Sequence, residues 1–422
     1  MVSNAISIAV IGTLDTKLEE FLYLRSRILH LDPSINIILI DAGRSDVSHE
    51  FISISQSEVL KASGHDGSTD ALPRGDVIKI MIKGAIGVAK PLHAQGKIQG
   101  IVSLGGSGGT SIASAVMREL PLAFPKLLVS TVASGDTSSY VAESDITMMY
   151  SVVDIAGLNA MLRAVVDNAA AAIVGMTRAY VARAAADGGA GPGKQKRGIG
   201  VTMFGVTTPA VDVARARLDS QGFEVYVFHA TGAGGRAMER LVQEGRLDAV
   251  LDLTTTELAD ELAGGVMSAG PDRLTAAAKA GIPQIVSVGA MDMVNFGPRD
   301  SIPENLQSRT LFEHNPSVTL MRTSPEECAE LGRRLSSRLK QNCKEPSLIE
   351  VWLPRGGVSA IAVKGQAFHD SKADEGLFGA IKDGLQNSGI KVVENESDIN
   401  NAHFAESIAC RLKELIDSRP DD

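Results

Sequence analysis

The sequence predicts an α/β protein made of two tandem doubly wound (Rossmann-like) domains, each with three layers around a mainly parallel sheet. Short apolar runs alternate with segments of helical periodicity along the whole chain. The 422 residues exceed what one hydrophobic core normally holds. Glycine is abundant at 42 residues while aromatic residues make up 4%, a composition typical of strands that meet helices through tight turns.

Four apolar runs predict the sheet of the first domain. They are AISIAVIG, INIILIDAG, IQGIVSLGG and PKLLVSTVASGD, beginning at residues 5, 35, 98 and 125. Apolar runs without alternation are typical of parallel strands that are covered on both faces. A polar stretch of about residues 44–76 separates the second strand from the third and is longer than an ordinary connection.

A glycine-, proline- and charge-rich stretch, ADGGAGPGKQKR at residues 186–197, predicts a flexible linker. Domain one then spans residues 1–185 and domain two spans residues 198–422. After the linker, RGIGVTMFGVTT begins the same strand, loop and helix order again. LIEVWLPRGG and IKVVENE are candidates for additional strands of the second sheet.

The charge and cysteine content exclude several classes of protein. A net charge of −9 and a pI of about 5.5 argue against nucleic-acid binding. Three cysteines without CxxC spacing argue against a disulfide framework or a zinc site and fit a reducing cytosol. The most apolar helical run, Ala169–Met176, is too short to span a bilayer. We therefore expect a cytoplasmic protein without membrane contact, and the alanine-rich helix that contains this run suits a homodimer or higher homo-oligomer.

One glycine-rich loop, LGGSGGTSI, joins the third strand to a helix. Backbone N–H groups at a helix N-terminus bind anions, and glycine lets that backbone approach a phosphate closely. The loop matches neither the Walker A nor the GxGxxG pattern, so a tight turn capped by hydroxyl groups is the alternative. The candidate phosphate-binding residues are Gly105, Gly106, Ser107, Gly108, Gly109 and Thr110.

Two more polar loops follow strands that end at the same predicted sheet edge, where open α/β sheets bind ligands. GTLDTK offers Gly12, Thr13, Asp15 and Lys17, and STVASGDTSSY offers Ser134, Gly135 and Asp136. Asp41 ends the second strand, the position of a ribose-binding carboxylate. Lys17 is the candidate phosphate partner, and Asp15 or Asp136 is the candidate ligand of a Mg²⁺ ion. The alternative is that these residues cap helices and form turns.

The second domain carries a separate cluster of candidate catalytic residues made of Glu257, Asp292 and His314. Acids and a histidine at strand ends are typical of sites for carboxylated or keto substrates. No spacing such as HExxH is present, so the identity of any metal stays open. The alternative for His314 is a hydrogen-bonded structural residue.

Several motifs together resemble the ATP-binding domain family of the tomato mosaic virus resistance protein and its bacterial and fungal relatives. They are GTLDTK, GGSGGT, MMYSVVDIAGLN, TTTELADELAGGVMSAGPDRL, GAMDMVNFGP and HNPSVTLMRT, and they extend over nearly the whole chain. The resemblance implies two Rossmann-like domains with ATP bound by the first. It places the nucleotide contacts at Gly12, Thr13, Asp15 and Lys17, at residues 105–110, and at residues 134–136.

Three functions therefore stand as hypotheses. The first is an ATP-binding protein that holds phosphates on its N-terminal loops, with Mg²⁺ and slow hydrolysis as open additions. The second is a metabolic hydrolase or lyase that acts on a small carboxylated or keto substrate in the cleft between the domains. The third is a regulatory or interaction module without chemistry, so whether the chain is an enzyme stays open.

Overall fold

The computed structural model describes residues 6–67, 69, 71–187 and 196–419, and these residues form two compact units. Each unit is an α/β domain built on its own six-stranded sheet, which confirms the predicted fold class. Most of the predicted linker lies outside the described residues. Its first two residues, Ala186 and Asp187, continue the last helix of the first unit.

The sheet of the first unit contains only parallel strand pairs. Its strands are β1 (Ser7–Gly12), β2 (Asn36–Asp41), β3 (Ile52–Ile54), β4 (Gly100–Gly105), β5 (Lys126–Ser130) and β6 (Thr147–Tyr150). Their order across the sheet is β3-β2-β1-β4-β5-β6. The order reverses between β1 and β4, and such a reversal opens a crevice at the carboxyl ends of those strands.

Helices cover both faces of this sheet. They are α1 (Leu14–Leu31), α2 (Gln56–Ala62), α3 (Arg74–Ala94), α4 (Ser107–Arg118), α5 (Ser138–Val141) and α6 (Ala160–Asp187). Buried side chains of α2, α3 and α4 pack on one face, and those of α1 and α6 pack on the other. Successive residues of β1 face opposite cores, since Ile8 and Val10 join one cluster and Ala9 and Ile11 join the other. The strand is therefore apolar on both faces from Ile8 to Ile11.

Helix α6 contains the apolar run Ala169–Met176 and extends beyond it in both directions. Residues Ala160–Ala186 are long and apolar enough to cross a membrane, by length and composition alone. Leu162, Val166, Ala169 and Ile173 are fully buried against the sheet. Their spacing of three or four residues gives the helix the apolar stripe of a core-packing helix.

The second unit has a parallel sheet of a different order. Its strands are β7 (Gly198–Met203), β8 (Glu224–His229), β9 (Ala249–Thr254), β10 (Gln284–Gly289), β14 (Ile349–Pro354) and β15 (Lys391–Asn395). The order is β15-β14-β10-β9-β7-β8, so the direction reverses between β7 and β9. The last two strands confirm the additional strands predicted near the C-terminal end.

Two helical layers also enclose the second sheet. The helices are α7 (Thr208–Ser220), α8 (Ala233–Gln243), α9 (Glu257–Ala263), α10 (Ala276–Ala280), α11 (Pro325–Asn342), α12 (Ser371–Leu385) and α13 (Ala402–Asp417). Helices α7 and α13 pack on one face. Helices α8 to α12 contribute the cores of the other face. The three-layer arrangement therefore occurs twice.

The second unit adds a small antiparallel sheet that the sequence did not predict as a whole. It contains β11 (Met293–Phe296), β12 (Leu311–Asn315) and β13 (Val318–Arg322) in the order β11-β13-β12. Met293 and Leu320 of this sheet pack with Phe204, which follows β7. The small sheet therefore lies against the carboxyl-terminal side of the parallel sheet.

Asp260 of α9 ties the small sheet to the second unit. Its carboxylate accepts hydrogen bonds from the backbone N–H and the side-chain Nδ2 of Asn295, at 2.8 and 2.6 Å. Burial raises the pKa of Asp260 to about 7. Because this pKa lies above its ordinary value of 3.8, the folded state holds the proton more tightly than the unfolded chain. The contribution of the protonated Asp260 to the free energy of unfolding is therefore complete below about pH 4 and is lost as the pH rises through 7.

We expect Asp260→Asn to reduce the pH dependence of the second unit's stability between pH 5 and 8. The wild-type free energy of unfolding should fall over that range, by up to about 1.4 kcal/mol per pH unit from this group. Urea denaturation followed by fluorescence of Trp352, the chain's one tryptophan, reports on this unit alone. Asp219→Asn, at an exposed position of α7, is the control. A variant that keeps the wild-type slope would contradict this account of Asp260.

Candidate anion-binding cleft

A cleft of about 470 Å³ lies in the first unit at the carboxyl ends of β1, β2 and β4. This is the point where the strand order reverses, the general ligand position of open α/β sheets. Its lining combines loop residues after the three strands with one face of α3 and the start of α4. The lining residues are Thr13, Asp15, Thr16, Lys17, Ala42, Arg44, Arg74, Val77, Ile78, Met81, Gly106, Ser107, Gly108, Gly109 and Ile112.

The N-terminus of α4 presents unpaired backbone N–H groups at this cleft. Gly106 is the N-cap residue, and no side chain caps the helix. Among the described residues, nothing accepts a hydrogen bond from the backbone N–H groups of Ser107, Gly108 and Gly109. Unpaired N–H groups and the positive end of the helix dipole together attract an anion.

Two neighbouring residues of the same motif hold the loop in place and do not line the cleft. A Cβ atom on Gly105 would lie 3.0 Å from the Cα of Gly109, so a larger residue here would require the loop to shift. Thr110 is fully buried, and its hydroxyl group lies 2.6 Å from that of Ser130 on β5. The GGSGGT motif therefore divides into residues that face the cleft and residues that shape it.

Arg74, the first residue of α3, is the cation that sequence reasoning missed. Its Nη2 lies 3.3 Å from the position that a Cβ atom on Gly108 would occupy. The side chain is exposed and makes no hydrogen bond or ion pair with the described residues. The guanidinium group is free to pair with a phosphate held on the α4 N–H groups. Arg44 also lines the cleft, but its Nη2 donates to the carbonyl of Leu72.

The GTLDTK loop contributes three of its four predicted residues to the cleft. Thr13 Oγ1 lies 3.9 Å from where a Cβ atom on Gly109 would be. Asp15 Oδ2 accepts hydrogen bonds from the backbone N–H groups of Arg44 and Ser45. Lys17 lines the cleft, but its ammonium group donates to the carbonyl of Ile155. The lysine therefore already has a protein partner, unlike Arg74.

Gly12 and Asp41 are buried beneath the cleft and do not line it. A Cβ atom on Gly12 would overlap the ring of Phe21. Asp41 Oδ1 accepts hydrogen bonds from the backbone N–H groups of Leu14 and Gly43, and Oδ2 has no partner among the described residues. Burial raises the pKa of Asp41 to about 6. This carboxyl group braces the loops, and Asp15 is the acid that a ligand would meet.

The third predicted loop lies outside the cleft lining. Ser134, Gly135 and Asp136 are exposed after β5. Asp136 Oδ1 accepts a hydrogen bond from the backbone N–H of Ser138, and this bond lowers the pKa of Asp136. The loop forms a turn before α5 in this conformation.

In the second unit, a side chain of the protein occupies the glycine loop that follows β8. Glu257 Oε1 accepts hydrogen bonds from the backbone N–H groups of Gly232 and Gly235, at 2.7 and 3.1 Å. These residues begin α8, in the motif ATGAGG after β8. Glu257 was predicted as a catalytic acid, and the structure gives it the position of an internal anion. The glycine loop after β8 is therefore filled by a carboxylate of the protein, whereas the one after β4 is open.

A buried ion cluster surrounds the other oxygen of Glu257. Arg273 Nε donates to Glu257 Oε2 at 2.6 Å, and the guanidinium group also pairs with Asp252 and Glu239. Arg273 is 1% exposed. Burial alone would lower the pKa of Arg273, but the neighbouring carboxylates hold this pKa well above its ordinary value. Burial raises the pKa of Glu239. One cation therefore holds three buried carboxylates.

The other two predicted catalytic residues lie in separate surroundings. Asp292 is buried, with Oδ2 accepting a hydrogen bond from Ser359 at 2.8 Å, and burial raises its pKa to about 6. His314 is exposed on β12 and lines a different, smaller cleft. None of the contacts among the described residues joins Glu257, Asp292 and His314. Among those residues, no group of three or more His, Cys, Asp or Glu side chains is placed so that it could hold a metal ion.

Two family models match the chain, one to each unit. Residues 6–182 match the N-terminal domain of the uncharacterised protein family UPF0261, and residues 196–416 match its C-terminal domain. The chain belongs to the UPF0261 family. The matched ranges contain the open glycine loop in the first domain and the filled one in the second.

Relatives extend over almost all of the chain. A UPF0261 protein of Clostridium tetani is 43% identical over 97% of this chain and 99% of its own length. One of Mesorhizobium japonicum is also 43% identical, over 96% and 98%. The ToMV resistance protein Tm-1(GCR237) of Solanum lycopersicum is 38% identical over 98% of this chain, which matches 56% of that longer protein. The resemblance seen in the motifs is therefore a family relationship, and ATP binding remains a prediction.

Proposed function

We propose that the first unit is an adenine-nucleotide-binding domain that holds the phosphates of ATP on the N-terminus of α4. The observation that carries this proposal is the open set of N–H groups at Ser107, Gly108 and Gly109, next to the free guanidinium of Arg74. In the second unit of the chain, the glycine loop after β8 holds the carboxylate of Glu257 on its backbone N–H groups. A carboxylate bound in this way supports the view that a glycine loop at a helix N-terminus favours an anion.

The size and composition of the cleft support a nucleotide. Ligand pockets enclose roughly 300–1,000 Å³, and this one encloses about 470 Å³. Val77, Ile78 and Met81 line one side and offer apolar contact for a base. The phosphate-binding groups lie on α4 and at the start of α3. The cleft thus has the apolar and anion-binding parts that a nucleotide requires.

A Mg²⁺ ion bound with the nucleotide would rely on Asp15. Mg²⁺ commonly binds through one or two carboxylates together with substrate phosphates and water. Asp15 is the carboxylate among the lining residues. If Mg²⁺ strengthens the binding of ATP, we expect this increase in affinity to disappear in Asp15→Asn. ATP hydrolysis is a separate addition to the proposal.

We expect Arg74→Ala to weaken ATP binding by about 10- to 100-fold, as the loss of one charge-assisted contact to phosphate predicts. The Arg74 side chain is exposed and makes no hydrogen bond or ion pair with the described residues, so the variant should stay folded. Titration calorimetry of ATP into the intact chain measures the change. Lys79→Ala removes a cation from the exposed side of the same helix and is the control for net charge.

Equal affinities of Arg74→Ala and the wild type would contradict the role given to Arg74. Equal weakening in Arg74→Ala and Lys79→Ala would show a general charge effect in place of a defined phosphate contact. Binding lost in Arg74→Ala and kept in Lys79→Ala supports the proposed site.

A further inference from the structure

The second unit contains an apolar cleft of about 230 Å³. Its lining includes neither the N–H groups of the two glycine loops nor the charged residues around Arg273. It lies where the loops after β7 and β8 meet the small antiparallel sheet. Its lining residues are Phe204, Gly205, Val206, His229, Thr231, Met267, His314, Asn315, Val318 and Leu320. We call it the imidazole cleft, because two histidines are its titratable lining residues.

A β-bulge brings His314 to this cleft. Glu313 pairs with Thr319 and Asn315 pairs with Val318, so His314 is an extra residue in β12. A bulge turns a side chain away from the regular alternation of a strand, and bulges are common beside functional sites. The imidazole makes no hydrogen bond with the described residues.

His229 supplies a second free imidazole from the end of β8. Its ring lies 5.4 Å from that of Phe204, with the two planes tilted by 31°. The contact fixes the ring on one side, while its nitrogens hydrogen-bond no described residue. Two imidazoles with unpaired nitrogens thus border one cleft in an exposed part of the unit.

The polar groups of the cleft are suited to an anionic head group. No aspartate or glutamate is among the described residues that line it, whereas the imidazole N–H groups and the Asn315 amide are available as donors. The remaining lining is apolar and aromatic. This volume is smaller than that of a typical drug-sized pocket, roughly 300–1,000 Å³, so the occupant is a small molecule.

We propose that the imidazole cleft binds a small carboxylate with an aromatic or branched apolar body. The carboxylate lies between His229 and His314, and the apolar body packs on Phe204, Met267 and Leu320. A nucleotide does not fit this description, because side chains of the protein already accept hydrogen bonds at the N-termini of the two nearby helices. Glu257 Oε1 accepts from the backbone N–H of Gly232 at the start of α8, and Asn400 Oδ1 accepts from that of Ala210 in the first turn of α7. The site is independent of the nucleotide site proposed for the first unit.

Benzoate, phenylacetate and 4-methyl-2-oxopentanoate are the probes, titrated into the intact chain by calorimetry and by saturation-transfer NMR. We expect at least one to bind, and we expect benzamide, the neutral match of benzoate, to bind more weakly. His229→Ala and His314→Ala should each weaken the binding carboxylate by about tenfold or more. Gly205→Leu should abolish binding, since a Cβ atom there meets open space beside the cleft.

His403→Ala, at an exposed position near the start of α13, is the matched histidine control and should bind like the wild type. Trp352 fluorescence verifies that each variant keeps the second unit folded. The proposal is overturned if no probe binds at roughly ten-millimolar concentration. It is also overturned if benzamide binds as tightly as benzoate, or if both histidine variants keep the wild-type affinity.

Discussion

Gly108→Val is expected to abolish nucleotide binding and to leave the first unit folded. Gly108 lies in the first turn of α4 with no positive φ, so valine fits the backbone there. Its Cβ atom would lie 3.3 Å from Arg74 Nη2 and 3.6 Å from Ile78 Cδ1. The added methyl groups would extend into the space where a phosphate meets the N–H groups and the guanidinium.

The expected loss is at least about 100-fold, because two hydrogen bonds to a charged group are each worth roughly 1.5–3 kcal/mol and 1.4 kcal/mol is tenfold. Titration calorimetry with ATP measures it, and circular dichroism verifies the fold. Gly175→Val is the control, since Gly175 is an exposed glycine of α6 with open space around its Cβ position. Wild-type affinity in Gly108→Val would exclude phosphate binding at this loop.

Arg273→Met is expected to destabilise the second unit more than any other single change considered. The variant leaves Asp252, Glu239 and Glu257 buried without their cation. Removing one partner of a buried ion pair costs roughly 3–5 kcal/mol, and three carboxylates depend on this arginine. Such a loss is comparable to the whole stability of many domains, roughly 5–15 kcal/mol.

Urea denaturation followed by Trp352 fluorescence measures this loss in the second unit. Arg215→Met is the control, because Arg215 pairs with Asp219 on the surface and such pairs contribute roughly 0–1 kcal/mol. Adding Glu257→Gln to Arg273→Met should recover part of the stability, since it removes one unpaired buried charge. An Arg273→Met midpoint equal to that of the wild type would refute the role of the cluster.

The sequence was sufficient to predict the fold class and the long strands. Apolar runs such as AISIAVIG identify β1, because a parallel strand covered on both faces contains few polar residues. The edge strands β3 and β6 were missed, since each is only three or four residues long and partly exposed. The small antiparallel sheet was also missed as a unit, because its strands depend on packing against Phe204 and not on a local pattern.

The candidate site was predicted only in part. Glycine spacing identified the loop at residues 106–109, because close approach of a backbone to a ligand leaves a local signature. Arg74 left no such signature, since its place beside Gly108 follows from how α3 packs on α4. Tertiary contacts also decide that Lys17 donates to Ile155 and that Glu257 fills the second glycine loop. Single-residue chemistry cannot distinguish an open loop from a filled one.

A comparison of ATP with adenosine by titration calorimetry tests the central claim most directly. Phosphate binding by the N–H groups of Ser107, Gly108 and Gly109 predicts that ATP binds with a stoichiometry of one per chain. It also predicts that adenosine binds at least about 100-fold more weakly, since adenosine lacks every group that those donors recognise. Equal affinity for ATP and adenosine, or no binding of ATP, would contradict the assignment of this cleft as a phosphate-binding site.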